Sequence, residues 1–289
     1  MTDLHRDQLT GKPTTGHEWD GIQELNTPLP KWWLYTLYAC IVWAIGYWIV
    51  YPAWPMLHSY TKGVMGYNSH QIYAQEAVAA ADAQKQWTDQ IAASSVDQIA
   101  ANGELLTFAM AGGRAVFNEN CAACHAVGGA GRPNFPVLAD DDWIWGGKLA
   151  DIEQTIRHGI RSTNDENTRN NLMPRFGADG LLKPEQITDV ASFVATLSGG
   201  DADGVAAERG KAIFAENCAA CHGPEGKGMP EMGGPNLTDA IWLYGDGMKA
   251  ILAQINLPKL GVMPAWQSRL TDAQIKMLAV YVHSLSGGQ

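Results

Sequence analysis

Charge is scarce in this sequence. Asp, Glu, Lys and Arg make up 17% of its 289 residues, against roughly a quarter in ordinary soluble proteins. Basic residues are the scarcer sign: 20 Lys and Arg face 30 Asp and Glu, for a net charge of −10. That balance argues for no nucleic-acid partner, because such binding rests on neutralising phosphates. Only five cysteines occur, and an odd count excludes a fully paired disulfide framework, so their spacing becomes informative. No stretch alternates apolar and polar residues as a half-buried strand would. The expected fold class is therefore all-α, and 11 tryptophans speak against disorder.

One long apolar run is present. Trp32 to Tyr51 (WWLYTLYACIVWAIGYWIVY) has no charge over 20 residues, and at about 1.5 Å per residue it matches a hydrocarbon core of about 30 Å. Eight of these residues are Trp or Tyr, with Trp32, Trp33 and Tyr35 at one end and Tyr47, Trp48, Tyr51 and Trp54 at the other, as in interfacial aromatic belts. The run is too long for a signal peptide, and 31 mostly polar residues precede it. The reading is an uncleaved anchor over 32–54, with the lipid bilayer as partner. Cys40 lies mid-span as a small apolar packing residue. Arg6, Lys12 and Lys31 precede the span whereas only Lys62 follows it closely, which points to a cytoplasmic tail over 1–31.

Beyond the anchor, residues 55–107 read as a helical connector, and then the chain repeats itself. Gly113 to His125 is GRAVFNENCAACH and Gly210 to His222 is GKAIFAENCAACH, identical at 10 of 13 positions. The copies continue in parallel: Pro133-Asn134 with Pro235-Asn236, Trp143 with Trp242, and Met173-Pro174 with Met263-Pro264. Each ends in an amphipathic helix closed by glycine, Gly199 in one and Gly287 in the other. Two helical domains over 108–199 and 205–289 follow, joined by a glycine-rich hinge.

The four duplicated cysteines carry the chemistry. Cys121, Cys124 and His125, and again Cys218, Cys221 and His222, form Cys-Ala-Ala-Cys-His, the attachment signature of c-type haem. Two such sites predict two covalently bound haem c groups, with Cys121, Cys124, Cys218 and Cys221 forming the thioether links and His125 and His222 ligating iron. A redox Cys pair would require a βαβ context, and a zinc site would require two more ligands. Met173 lies 48 residues after His125 and Met263 lies 41 residues after His222. Each is the expected sixth ligand within its own repeat, and His158 is a rival to Met173. Methionine opposite histidine raises the potential and closes the iron to oxygen chemistry. Pro133 and Pro235 are the expected carriers of the carbonyl that receives the histidine's other nitrogen, and Trp143 and Trp242 the expected pocket walls. Arg157 and Arg161 are candidates to face the propionates. Covalent haem attachment in bacteria takes place outside the cytoplasmic membrane, which places both domains in the periplasm and agrees with the charge bias.

With His17 to Ile22 (HEWDGI), Asn26 to Trp33 (NTPLPKWW), one span, Tyr-Pro-Ala-Trp-Pro and two cytochrome c domains in that order, the chain resembles the dihaem subunit, subunit III, of cbb3-type cytochrome c oxidases over essentially its whole length. The resemblance implies an inner-membrane subunit of an oxygen-reducing, proton-pumping complex. It would accept electrons from a soluble or membrane cytochrome c, or from the bc1 complex, and pass them to the monohaem c subunit and thence to the catalytic subunit. This chain holds no oxygen-reducing site. A dihaem donor to another redox complex and a membrane-anchored dihaem peroxidase are the alternatives, and the paired Met-Pro sites oppose the second.

Overall fold

The computed structural model describes residues 5–285, so the expected glycine stop at Gly287 lies outside the described residues. The architecture is helical, and the chain divides at Ala81 into two compact units.

In the N-terminal unit, β1 (Thr14–Trp19) and β2 (Ile22–Leu25) pair antiparallel. This corrects the expectation of a strand-free chain. The turn is Asp20-Gly21, both with positive φ (51° and 81°), the combination a two-residue hairpin turn requires. Helix α1 (Lys31–Val50) follows and is the one helix among the described residues long and apolar enough to cross a membrane. None of its residues is buried in protein, whereas an apolar core helix of a soluble protein would be covered. It ends at Tyr51 because Pro52 has no amide to donate and its ring clashes with the preceding turn, so the last residues of the expected span are not helical.

Helix α2 (Ser69–Ala93) leads into α3 (Val96–Ala101) and α4 (Gly103–Asn120). Residues 55–68 of the expected connector are not helical, and its last residues already belong to α4. Ser95 and Gln98 form a capping box at α3, and the Asn102 side chain accepts from Glu104 N and Leu105 N at the start of α4. Ile91, Ile99 and Leu105 pack against Ala273, Met277 and Val280 of the last helix. The second half of the connector is thus core.

The remaining helices are α5 (Ala122–His125), α6 (Leu149–His158), α7 (Pro184–Leu197), α8 (Gly204–Asn217), α9 (Ala219–His222), α10 (Gly247–Asn256) and α11 (Asp272–His283). Their packing is crossed. α4 and α6 of the first repeat pack on α11 of the second, whereas α8 and α10 of the second pack on α7 of the first. One lobe therefore combines α4–α6 with α11, and the other combines α8–α10 with α7. The contiguous domains 108–199 and 205–289 describe the repeats but not the packing units.

Both lobes use the same helix crossing. A Cβ on Gly113 would overlap the Met277 carbonyl oxygen, and one on Gly210 would overlap the Asp189 carbonyl oxygen. An aromatic pair flanks each glycine: Phe117 with Tyr281 at 5.5 Å between ring centroids, and Phe193 with Phe214 at 5.2 Å. Gly113→Ala must push α4 off α11, a forced overpacking that destabilises by about 1–3 kcal/mol. Thermal unfolding should show a lower midpoint for this variant than for Gly103→Ala, where a Cβ meets nothing.

Between the lobes, burial together with the Asp239 and Asp140 charges pushes the Asp142 carboxyl up to about 6. A raised carboxyl pKa means that the folded chain binds the proton more tightly than the unfolded chain, so stability falls as pH rises from about 4 to about 6. Asp142→Asn should raise the unfolding midpoint at neutral pH, by about 1 kcal/mol allowing for solvent screening, and should flatten the difference between acidic and neutral pH.

Candidate functional site

Each Cys-Ala-Ala-Cys-His segment occupies the same local structure. Cys121 continues α4 and Cys218 continues α8, and His125 N and His222 N close a turn back to Cys121 O and Cys218 O at 2.9 and 3.0 Å. The chain then reverses. Gly131 N donates to His125 O and Gly228 N to His222 O, both at 2.8 Å; Leu138 N donates to Gly129 O and Leu237 N to Gly226 O, both at 2.7 Å. Ala126 holds a positive φ of 62° where the second copy has Gly223 at 77°, so the first copy adopts with a Cβ a conformation that glycine enters freely.

This reversal corrects one sequence expectation. The His125 ring Nδ1 lies 3.2 Å from Pro136 O, not Pro133 O, while the His222 Nδ1 lies 3.0 Å from Pro235 O. The physical reason is a turn of different length. Arg132 bridges to Phe135 in the first copy and Met229 to Gly234 in the second, so two extra residues shift the register and Pro136, not Pro133, matches Pro235. A carbonyl can only accept, so in both copies Nδ1 donates its N–H to that oxygen and Nε2 keeps its lone pair. Burial pulls both imidazoles below their ordinary pKa, opposed by those same carbonyl bonds.

Burial, with the charge of the neighbouring cysteine, raises the thiols of Cys121 and Cys218 to about 11. This is the opposite of the depressed pKa that marks a redox nucleophile. Among the described residues no group of three or more His, Cys, Asp or Glu is placed to hold a bare metal ion. Large apolar side chains instead flank each motif while remaining only partly buried: Leu138, Trp143, Met263 and Trp266 share a cluster with Cys121, and Met173, Leu237, Trp242 and Met248 share one with Cys218. A flat apolar group fixed to the cysteines would cover them, so the residues present fit haem.

The crossed packing places each Met-Pro methionine in the apolar cluster of the other repeat's motif. Met263 lies with Cys121 and Trp143, its backbone exchanging two 2.9 Å hydrogen bonds with Ile160. Met173 lies with Cys218 and Trp242. Pocket tryptophans stay with their own motif, while methionines change partner. The signal for this was absent from the spacings, since either pairing aligns Met-Pro with Met-Pro.

His158 is held elsewhere. Its Nδ1 lies 3.1 Å from Asp165, whose carboxylate also accepts from Gln267 Nε2 at 2.5 Å and Asn167 N at 2.8 Å. Arg157 is engaged through Nη2 with Glu153 at 2.7 Å and Asp272 at 2.5 Å. Arg161 donates to Gly261 O and Asn171 O. Sequence reading missed Arg169, which has no motif around it.

Comparison with known proteins identifies the family of the chain. Residues 11–58 match the N-terminal domain of FixP of the cbb3 cytochrome oxidase, 110–198 match cytochrome c, and 205–282 match cbb3-type cytochrome c oxidase subunit III. Over the full length of both chains, the sequence is 53% identical to the cbb3-type cytochrome c oxidase subunit FixP of Sinorhizobium medicae and 50% identical to subunit CcoP of Azospirillum brasilense. Over 96% of each chain it is 48% identical to CcoP of Cereibacter sphaeroides. The cytochrome c domains make haem c the cofactor. The chain therefore belongs to the FixP/CcoP family of cbb3-type cytochrome c oxidase subunits, as a membrane-anchored electron-transfer subunit that works with the other subunits of that oxidase.

Proposed function

We propose that the chain relays electrons across two covalently held haem c groups whose axial pairs are crossed between repeats: His125 with Met263, and His222 with Met173. The observation that carries this is the packing of each methionine in the apolar cluster of the other repeat's motif. Bound in these lobes, haem c supplies reversible one-electron exchange. The chain's own residues set its terms. Cys121 and Cys124, and Cys218 and Cys221, fix the group to the ends of α4 and α8. His125 and His222 are oriented by Pro136 O and Pro235 O. With haem c bound, Met263 and Met173 would supply thioether ligands to iron alongside His125 and His222, and such a ligand pair would favour the reduced state and suit electron transfer rather than oxygen or peroxide chemistry.

In this reading the donor is a cytochrome c or the bc1 complex, and the acceptor is the monohaem c subunit, which feeds the catalytic subunit. Three basic and five acidic residues precede Pro52, leaving 17 basic against 25 acidic beyond it, a net −8. That surplus steers a basic donor towards the haem lobes. The lobes stand in the periplasm, with α1 in the inner membrane and the hairpin in the cytoplasm.

Met263→Leu should remove the Met-to-iron charge-transfer band and lower the potential of the haem on Cys121 and Cys124, and Met173→Leu should do so for the haem on Cys218 and Cys221. Visible and magnetic circular dichroism spectra with redox titration, the haems distinguished by a Cys218→Ala/Cys221→Ala variant, test the assignment; the reverse pattern returns the methionines to their own repeats. Affinity purification of the detergent-extracted chain should bring down haem b and copper subunits with oxygen uptake from reduced cytochrome c. Recovery without either would remove the oxidase role.

A further inference from the structure

Arg169 lies on the segment that crosses between the lobes. Its side chain is only 10% exposed, and its Nε is the one buried side-chain polar atom among the described residues without a hydrogen-bond partner. The other contacts are poor. Nη2 reaches Asp151 O at 3.3 Å, Gln154 Oε1 at 3.4 Å and Asp151 Oδ1 at 3.5 Å, at or beyond the long end of hydrogen bonding. Asp151 itself is 36% exposed, so it screens the guanidinium weakly. Trp145 covers one face, its ring centroid 5.4 Å from Cζ. Burial pulls the guanidinium below its ordinary pKa, as expected of a cation without a full counter-charge.

Two other arginines show how this chain satisfies the same edge. Arg209 places Nε and Nη2 on the two oxygens of Asp189 at 2.9 and 2.6 Å, and Arg175 places them on Asp179 at 3.2 and 2.6 Å. Both are far more exposed than Arg169. The Nε–Nη2 edge is a bidentate match for a carboxylate, and a buried charge left without such a partner costs several kcal/mol. The most buried of the three forks is thus the one with its Nε unfilled.

We propose that this edge of Arg169 receives a carboxylate from outside the polypeptide, a propionate of the haem held by Cys121 and Cys124. The proposal rests on the haem reading given above. The lobe follows from two contacts. Arg169 leans on Asp151 and Gln154 of α6, which packs on α11 in the lobe of the first motif. Ile160 is bridged on one side to Arg169 and on the other to Met263, so one short backbone array carries both the arginine and the candidate axial methionine. Arg169 acts as a positioning and charge-setting residue, because a fixed positive charge beside the haem disfavours its oxidised form.

The test uses the full-length chain with both haems in place. Arg169→Leu should retain both covalent haems by haem staining and both Met-to-iron bands. The haem that responds to Met263→Leu should become harder to reduce, with its reduced-to-oxidised ratio at fixed potential falling about tenfold, or ~59 mV for one electron. Its potential should also rise as pH falls between about pH 8 and pH 5, because a propionate without its guanidinium takes up a proton more readily on reduction. Arg169→Lys should restore part of the potential but not the flat pH profile. Intact haems with an unchanged potential and pH profile would overturn the proposal, as would a shift of the other haem. A shift seen only in the assembled oxidase would also overturn it, by assigning the carboxylate to another subunit. If Arg169→Leu does not accumulate, infrared redox-difference spectra of wild type with isotope-labelled arginine decide the matter: a guanidinium band must appear with reduction. A wild-type chain lacking covalent haem at Cys121 would defeat the haem reading itself, an outcome distinct from these.

Discussion

Everything in the haem-bearing unit depends on how closely two pairs of helices approach. α4 meets α11, and α8 meets α7, at distances where glycine is the only residue that leaves room for a carbonyl oxygen. Helices that close bring side chains several positions further along into register. Phe117 reaches Tyr281 and Phe214 reaches Phe193, and Cys121 and Cys218 emerge at the end of the same helices. The cysteines are therefore placed by a backbone contact two to three turns away. The partner helix in each case comes from the other repeat, so the crossing that positions the cysteines also selects which Met-Pro loop lies near them.

The sequence made the chemistry legible because the chemistry is local. Two cysteines three positions apart, followed directly by histidine, need only one helical turn to act together, and the duplicated segment repeats that turn. The apolar period of α7 and α11 likewise shows in the sequence, since burial on one face leaves a helical pattern. The partner that each face buries against does not show. Val190 and Leu278 occupy corresponding faces of the two closing helices and are fully buried in different lobes, and a pattern of apolar residues is the same whichever lobe covers it.

Other departures have equally specific causes. Pro133 fails because the register depends on the length of a turn, which is two residues shorter in the first copy than in the second. The hairpin at Asp20-Gly21 carries a readable turn signal, but the polar, exposed residues around it lack the alternation that marks a half-buried strand. Arg169 has no readable signal at all. An arginine in a polar loop looks solvated until the fold covers it.

The two lobes also differ in how far apart in the chain their halves lie. α7 and α8 are neighbours, separated only by residues 198–203, and form a helical hairpin whose closure costs little chain entropy. α4 and α11 are separated by about half the chain. Contacts of such long sequence separation form late, so the lobe of the second motif can assemble while the first still lacks its closing helix. α4, with Val116 and Phe117 on its apolar face, stays uncovered until then. The lobe begun first in the sequence is thus the last to be completed, and its exposed interval during folding is set by the length of the lobe that interrupts it.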